Sequence, residues 1–349
     1  MKTTKLNRIG VVVRDLEEAM SEYSRILGID TWQVNDFDGR LENCRSHGRI
    51  SAGSYRSARG TTSFAGEVPF ELVQPTDGET PFKEFLLTKG EGICFLSVLV
   101  DDATGIEEHV TSAGLTEAHT HRIDDEVTRT FYDTRPLLGG YLVEYTATTG
   151  LPGAREVTLD GASLRGGRDP LPMSEVMHFG VLVDDVMAAL PYYRDVFGIE
   201  TFDMKTWQHE FGRLDDPIYR GAHESTGYFT AQGFVGDFGF EIIQVNYGDC
   251  HYNREFTDQR GAGIHHIFGW MTRDEGEWGD TCARAEDLGV PLCMGSDLRG
   301  GAAAFGYWDT FWELKGYLVE GVIRRRQPDE RFANPDWTVD FTTLEGRAR

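Results

Sequence analysis

Ile9-Gly10-Val11-Val12-Val13-Arg14-Asp15 recurs 170 residues later as Phe179-Gly180-Val181-Leu182-Val183-Asp184-Asp185, and this repetition decides the fold. The same offset carries Tyr23 and Leu27-Gly28-Ile29 onto Tyr193 and Phe197-Gly198-Ile199. It also carries Phe70-Glu71-Leu72-Val73-Gln74 onto Phe240-Glu241-Ile242-Ile243-Gln244. The offset becomes 171 where Gly90-Glu91-Gly92-Ile93-Cys94-Phe95 meets Gly261-Ala262-Gly263-Ile264-His265-His266. It reaches 176 where Gly140-Tyr141-Leu142-Val143-Glu144 meets Gly316-Tyr317-Leu318-Val319-Glu320. The two halves are duplicates that differ by small late insertions.

Each half divides again. A short apolar strand ends in Asp, an amphipathic helix follows and stops at Gly, and further strands lead to one that carries Glu. Asp15 and Asp185 suit N-caps, with Leu16, Met20, Tyr23 and Leu27 at helical spacing behind the first. Val100-Asp101-Asp102 opens a similar unit, whose helix is expected from about Thr104 to Ala113 with Gly114 as its stop. The pattern predicts an α+β fold of four βαβββ modules paired into two domains, residues 1–150 and 171–326. A polar, Gly- and Pro-rich linker over 151–170 would join them, and 327–349 would form a tail. Pro191 falls inside the third module's helix pattern and predicts a disturbed first turn.

The bulk properties bound the function classes. With 349 residues, 40% hydrophobic and 12% aromatic, the chain can bury a large core. No stretch reaches the roughly 18 to 20 apolar residues that cross a bilayer, and Met1 to Lys5 leads into an amphipathic pattern without an apolar signal core, so a cytoplasmic protein is expected. Cys44, Cys94, Cys250, Cys282 and Cys293 are scattered and odd in number, which suggests reduced thiols rather than disulfides or a thiolate zinc site. A formal charge of −23 opposes nucleic acid and anionic membrane partners, and it weighs against a polyanionic substrate. Arg324-Arg325-Arg326 reads as a solvated tail. A small-molecule substrate is the expected partner, and a homo-oligomer is open.

Chemistry is sought where an ionisable group interrupts an apolar strand, because burying such a group is costly unless it is paired or bound to a metal. In the second half these positions are His178, Glu241, His266 and Glu320. The corresponding residues of the first half are Arg8, Glu71, Phe95 and Glu144, so two imidazoles are replaced by residues that do not ordinarily bind metal. Any one of the four could be an ordinary core histidine or a solvent-facing strand glutamate. Together, two imidazoles and two carboxylates at matching places suit one divalent ion, Fe, Mn, Co, Ni or Zn. His265 alternates to the opposite face of the strand and reads as a bystander. No phosphate loop, dinucleotide fingerprint, nucleophile elbow or HExxH helix appears.

These four residues resemble the metal ligands of the vicinal oxygen chelate enzymes, the superfamily of glyoxalase I, methylmalonyl-CoA epimerase and type I extradiol dioxygenases. Local wording is most similar to the epimerase at Phe70-Glu71-Leu72-Val73-Gln74-Pro75, Phe82-Lys83-Glu84-Phe85-Leu86 and Gly261-Ala262-Gly263-Ile264-His265-His266-Ile267. The four-module length is similar to the dioxygenases, whose iron triad would fall on His178, His266 and Glu320, leaving Glu241 as a departure. The resemblance implies a cation that binds two substrate oxygens and stabilises an enolate or oxyanion, with a glutamate moving the proton.

Glu320 and Glu224 are candidates for that shuttle. His223, His251 and Tyr307 are candidates for the proton transfers of a dioxygenase. Trp207, Phe234, Phe240, Phe268, Trp270 and Trp312 suggest an aromatic interior. Metal-assisted isomerisation, epimerisation or lyase chemistry is the preferred expectation, extradiol ring cleavage the second, and ligand sequestration without catalysis the third.

Overall fold

The computed structural model describes residues 1–124, 127–149, 153–209 and 213–345. The chain divides into two units: Met1–Ser174 with Phe311–Tyr317, and Glu175–Thr310 with Leu318–Arg349. In the first unit, module one consists of β1 (Thr3–Val12), α1 (Leu16–Leu27), β2 (Thr31–Asp36), β3 (Gly53–Thr61) and β4 (Pro69–Gly78). Module two consists of β5 (Gly92–Val100), α2 (Ile106–Ser112), β6 (Thr116–Ile123), β7 (Val127–Asp133) and β8 (Leu142–Thr146).

The second unit repeats the plan. Module three is β9 (His178–Leu182), α3 (Val186–Phe197), β10 (Thr201–Gln208), β11 (Gly227–Val235) and β12 (Phe238–Tyr247). Module four is β13 (Gly263–Thr272), α4 (Glu275–Asp287), β14 (Leu292–Leu298), β15 (Ala303–Trp308) and β16 (Leu318–Arg324). The α+β fold of four βαβββ modules read from the sequence is the fold observed.

Each unit is one mixed sheet. The order is β2-β3-β4-β1-β5-β8-β7-β6 in the first unit and β14-β15-β16-β13-β9-β12-β11-β10 in the second, so the two modules meet through their opening strands. An excursion inside each leading module reaches the outer strand of its partner: Leu41–Ser46 pairs with β6, and Ile218–Tyr219 pairs with β14. The sheets therefore curl around a concave face, while the long helices cover the other face. Asp15 and Asp185 cap α1 and α3 by accepting from the backbone N–H of Glu18 and Ala188, and Gly28 and Gly198 end them in the left-handed conformation that glycine adopts without a Cβ penalty. Helix α3 runs unbroken through Pro191, contrary to the expected disturbance. Tyr193 and Phe197 of this helix pack on Phe240 of the sheet, the first edge to face and the second tilted.

Residues 155–158 of the segment expected as a linker form a strand on the free edge of β2, and Gly161–Leu164 form a short helix. Residues 151, 152 and 346–349 of the expected linker and tail lie outside the described residues. Trp337–Asp340, in the expected tail, pairs with β10. Phe234 and Trp312 are exposed, against the aromatic interior expected of them, and the five cysteines are free thiols. Among the described residues, no helix is long and apolar enough to cross a membrane.

Candidate metal centre

Four strand positions converge at the middle of the second sheet. β9 runs parallel to β12 with Gly180 opposite Glu241, and antiparallel to β13 with Gly180 opposite His266 and His178 opposite Phe268. β13 runs parallel to β16 with Phe268 opposite Glu320. This register gathers His178, Glu241, His266 and Glu320, all buried, so that one ligand atom from each lies within 4.8 Å of the others.

Glu320 Oε2 is 3.3 Å from Nε2 of both His178 and His266, while Glu241 Oε2 is 3.6 and 3.7 Å from the same two atoms. Both imidazole Nε2 atoms and Glu320 Oε2 are buried without a hydrogen-bond partner among the described residues. Donor atoms about 2.0 to 2.2 Å from an ion would stand about 3 Å apart when adjacent and about 4.2 Å apart when opposite. The cluster fits a single divalent ion: unpartnered lone pairs face one point at compatible spacing, and two carboxylates balance a double positive charge.

Electrostatics support that picture. Burial opposes ionisation of Glu320, but the facing imidazoles, His178 first, outweigh it and hold the carboxyl at about 2. Burial likewise opposes the charged form of His178, yet Glu320 and Glu241 raise it above the ordinary histidine range. The Glu320 carboxylate is thus ionised at neutral pH and attracts positive charge.

The surroundings fix the ligands. Gln232 Nε2 donates to Glu241 Oε1 at 3.1 Å, leaving Oε2 for the centre. His265 is no bystander. The ladder between β9 and β13 passes from Gly180 opposite His266 to Val181 opposite Ile264, so a bulge at His265 breaks the alternation on which that expectation rested. His265 Nδ1 sits 3.0 Å from His266 Nδ1, and His265 Nε2 sits 2.9 Å from His251 Nδ1. Tyr252, which sequence reasoning missed, lies over His265 and His266 and shares a 2.5 Å hydrogen bond with the Tyr307 hydroxyl. Its position was signalled by the repeat, since Tyr252 falls 170 residues after Phe82.

The expected proton-transfer residues separate. Tyr307 pairs with Glu320 across β15 and β16, is fully buried, and lines the cavity above the centre; burial, with Glu320 next, pushes its hydroxyl well above the usual range. His251 is buried but lines no part of that cavity, and burial lowers it to about 4. His223 and Glu224 are corrected: the excursion at 218–223 carries them outward. There His223 is exposed and pairs with Asp216 at 2.7 Å, and Glu224 borders a separate small void with Pro217 and Tyr219. His209 contacts the Leu214 carbonyl.

The cavity over the centre measures about 510 Å³. Trp207, Tyr228, Phe268 and Phe305 wall it, and Arg324, Arg325 and Arg326, exposed to solvent as expected, border its mouth. A second group of potential ligands, His251, Cys293 and Asp309, lies nearby, but Arg220 is hydrogen-bonded to Asp309 and to Glu255 and already supplies a cation there.

The first unit has a different solution at the matching place. Arg8 meets Glu71 at 2.9 Å and Glu144 at 2.6 Å, and Arg129 meets the same pair at 2.8 and 2.7 Å. All four are buried, and two guanidinium charges replace the two charges of an ion. Phe95, at the place of His266, fills the concave face together with Phe82 and Phe131. Arg129 escaped the sequence reading because it lies on a strand with no counterpart ligand.

Two family models, both described as the glyoxalase/bleomycin resistance protein/dioxygenase superfamily, match residues 7–131 and 175–320. No curated protein matches the sequence. Among solved structures, the chain is similar to a mutant of 4-hydroxymandelate synthase from Streptomyces coelicolor, with TM-score 0.64 and 14% identity over 99% of this chain and 100% of that one. It is also similar, at 12% identity, to a xylose isomerase-like TIM barrel/4-hydroxyphenylpyruvate dioxygenase fusion protein (TM-score 0.49, 92% of this chain and 49% of that one). A third likeness, again at 12% identity, is to BphC, a halotolerant catechol dioxygenase (TM-score 0.44, 97% and 95%). With one model on each half and the paired-module architecture in both units, the chain belongs to the glyoxalase/bleomycin resistance protein/dioxygenase superfamily, the vicinal oxygen chelate proteins.

Proposed function

We propose that the second unit binds one divalent ion, Fe, Mn, Co, Ni or Zn, through His178, Glu241, His266 and Glu320, and that the chain isomerises, epimerises or performs related lyase chemistry on a small oxygen-bearing molecule. The observation that carries this reading is the approach of Glu241 Oε2 to the point faced by the other three donors. Four protein donors on a six-coordinate ion leave about two positions for neighbouring substrate oxygens. When bound, the ion supplies Lewis-acid stabilisation of negative charge developing on those oxygens.

The chain's own residues do the rest. Glu320 accepts the proton from the carbon beside the substrate carbonyl and returns it, since its Oε2 is the carboxylate oxygen closest to both histidines and is otherwise unpartnered. Tyr307, held by Tyr252, orients the substrate beside Glu320. The aromatic walls exclude water, and a 510 Å³ cavity accommodates a small molecule.

Extradiol ring cleavage is the second reading. It is favoured by the longer spacing of Glu241 from both imidazoles and by its hydrogen bond from Gln232, which would let Glu241 stand aside and leave a His178, His266, Glu320 triad. Anaerobic incubation of the metal-loaded protein with candidate oxygen-bearing substrates in deuterated water tests the choice. Deuterium at the carbon next to a carbonyl is expected. Oxygen consumption with catechols in a parallel aerobic incubation, without exchange in the anaerobic one, overturns the isomerase reading, and ligand retention without either supports sequestration.

A further inference from the structure

The cavity over the centre also carries positive charge that no ion pair among the described residues compensates. Lys205 on β10 and Arg299, just beyond β14, both line the cavity. Lys205 Nζ donates to Gln232 Oε1 at 3.2 Å, and Gln232 in turn holds Glu241, so the ammonium stands one side chain away from the centre. Arg299 adopts φ +59, a left-handed conformation uncommon outside glycine, and its guanidinium lies 5.4 Å from the centre of the Trp207 ring. Its Nε is buried without a hydrogen-bond partner among the described residues. Neither side chain forms an ion pair among the described residues.

Elsewhere in the chain, buried cations meet carboxylates: Arg8 and Arg129 meet Glu71 and Glu144, and Arg213 meets Asp336. The contrast is sharper because the whole chain carries −23. At the centre itself, Glu241 and Glu320 would neutralise a divalent ion, which leaves the charges of Lys205 and Arg299 for something else. Burial weakens the charged forms of both. Arg299 and Arg213 further oppose the charge on Lys205, partly offset by Glu241 and Asp203, and Arg213 and Arg324 oppose the charge on Arg299, an arrangement that an incoming anion relieves.

Resting on the metal-centre reading above, we infer that the substrate is an organic anion. Its chelating oxygens lie at His178, Glu241, His266 and Glu320, its apolar middle lies against Trp207 and Tyr228, and a carboxylate or phosphate at its other end is held by Lys205 and Arg299. Trp207 and Tyr228 stack at 6.2 Å with their planes 22° apart, which gives a flat wall between the two polar ends.

The test separates the anion subsite from the metal. Benzoate, phenyl phosphate and neutral benzamide serve as probes, titrated calorimetrically into the metal-free full-length protein and into metal-free His178→Ala. Benzoate or phenyl phosphate should bind at least about tenfold more tightly than benzamide in both proteins, with affinity falling as salt rises. The tighter of the two anions identifies the end group as carboxylate or phosphate. Lys205→Met and Arg299→Asn, the latter a residue that tolerates the left-handed backbone, should each lose about tenfold, and Lys205→Arg should restore most of the loss. Equal binding of benzamide and both anions overturns the inference, as do unchanged affinities in Lys205→Met and Arg299→Asn or a lack of binding by either anion. Failure of metal binding alone, with anion binding intact, overturns only the metal-centre reading.

Discussion

The imidazole of His266 occupies the space where a side chain on Gly180 would begin: a β-carbon there would fall 1.8 Å from His266 Cε1. The first unit keeps the same relationship, with a β-carbon on Gly10 falling 2.0 Å from Phe95 Cε1. Glycine is required at both places because the ring of the antiparallel neighbour lies flat across the strand. Gly180→Ala should therefore push His266 out of the centre. Metal content after desalting should fall by at least about tenfold while far-ultraviolet circular dichroism stays native, and the overpacking should destabilise the protein by about 1 to 3 kcal/mol. Retention of metal at wild-type affinity would show that His266 is not a ligand.

The charge box of the first unit predicts one ion per chain. Glu71 and Glu144 are already compensated by Arg8 and Arg129, whose guanidinium groups, after the opposing effect of burial, hold both carboxyls below the usual range. Elemental analysis should find about one divalent ion per chain. Arg129→Met leaves two buried carboxylates facing one arginine and should cost about 3 to 5 kcal/mol in urea unfolding, far more than an exposed ion pair. Two ions surviving desalting, with the second lost in Glu71→Gln, would contradict the compensation.

How far the sequence leads can be judged residue by residue. The offset of 170 brings Gly10 opposite Glu71 and Gly180 opposite Glu241 in identical parallel registers, so the site's geometry in one half was legible as the repeat of a strand pair in the other. Tyr252 and Tyr307 were equally accessible as the partners of Phe82 and Phe131 at offsets 170 and 176. Lys205, Arg299 and Arg129 were not. They reach their sites through register across the sheet, set by pairings such as Lys205 opposite Thr230, which no local pattern specifies. His265 was misjudged because strict alternation fails at a bulge, and His223 because the excursion that carries it serves the partner module's edge.

Histidines buried as neutral groups make the first unit acid-sensitive. Burial lowers His119 to about 4 and His121 well below its ordinary value, and His121 Nε2 is hydrogen-bonded to the Tyr55 hydroxyl. Unfolding restores a histidine near 6.5, so below that pH the unfolded chain binds more protons. The contribution of these two histidines is therefore complete above about 6.5 and declines as pH falls toward 4, by up to about 1.4 kcal/mol per pH unit for each group. Urea midpoints of the metal-free protein at pH 7.5, 6.0 and 5.0 should fall in that order, and His119→Phe should flatten the slope. A midpoint independent of pH over this range would refute the assignment.

Glu241 and His265 act on the ligands at different distances, and their variants should separate accordingly. Glu241→Ala removes a carboxylate that faces the centre and should weaken metal retention as much as His178→Ala does. Unchanged retention would shift the preference to the three-ligand dioxygenase. His265 acts through its neighbour. With the His266 Nε2 lone pair directed at the centre, His266 Nδ1 carries the proton and donates to His265 Nδ1, His265 Nε2 then donates to His251 Nδ1, and His251 Nε2 turns toward Glu255, 3.6 Å away. Arg220 holds the Glu255 carboxyl at about 2, so the far end of the chain of imidazoles is anionic and fixes the direction of every N–H. His265→Leu keeps the volume but removes the acceptor, leaving His266 free to take the wrong tautomer. Metal affinity should fall by roughly 10- to 100-fold, the usual cost of losing a partner that orients a ligand. His265→Asn, whose amide oxygen can still accept from His266 Nδ1, should recover part of the loss, and equal affinity in wild type, His265→Leu and His265→Asn would show that the imidazole chain does not set the ligand's tautomer.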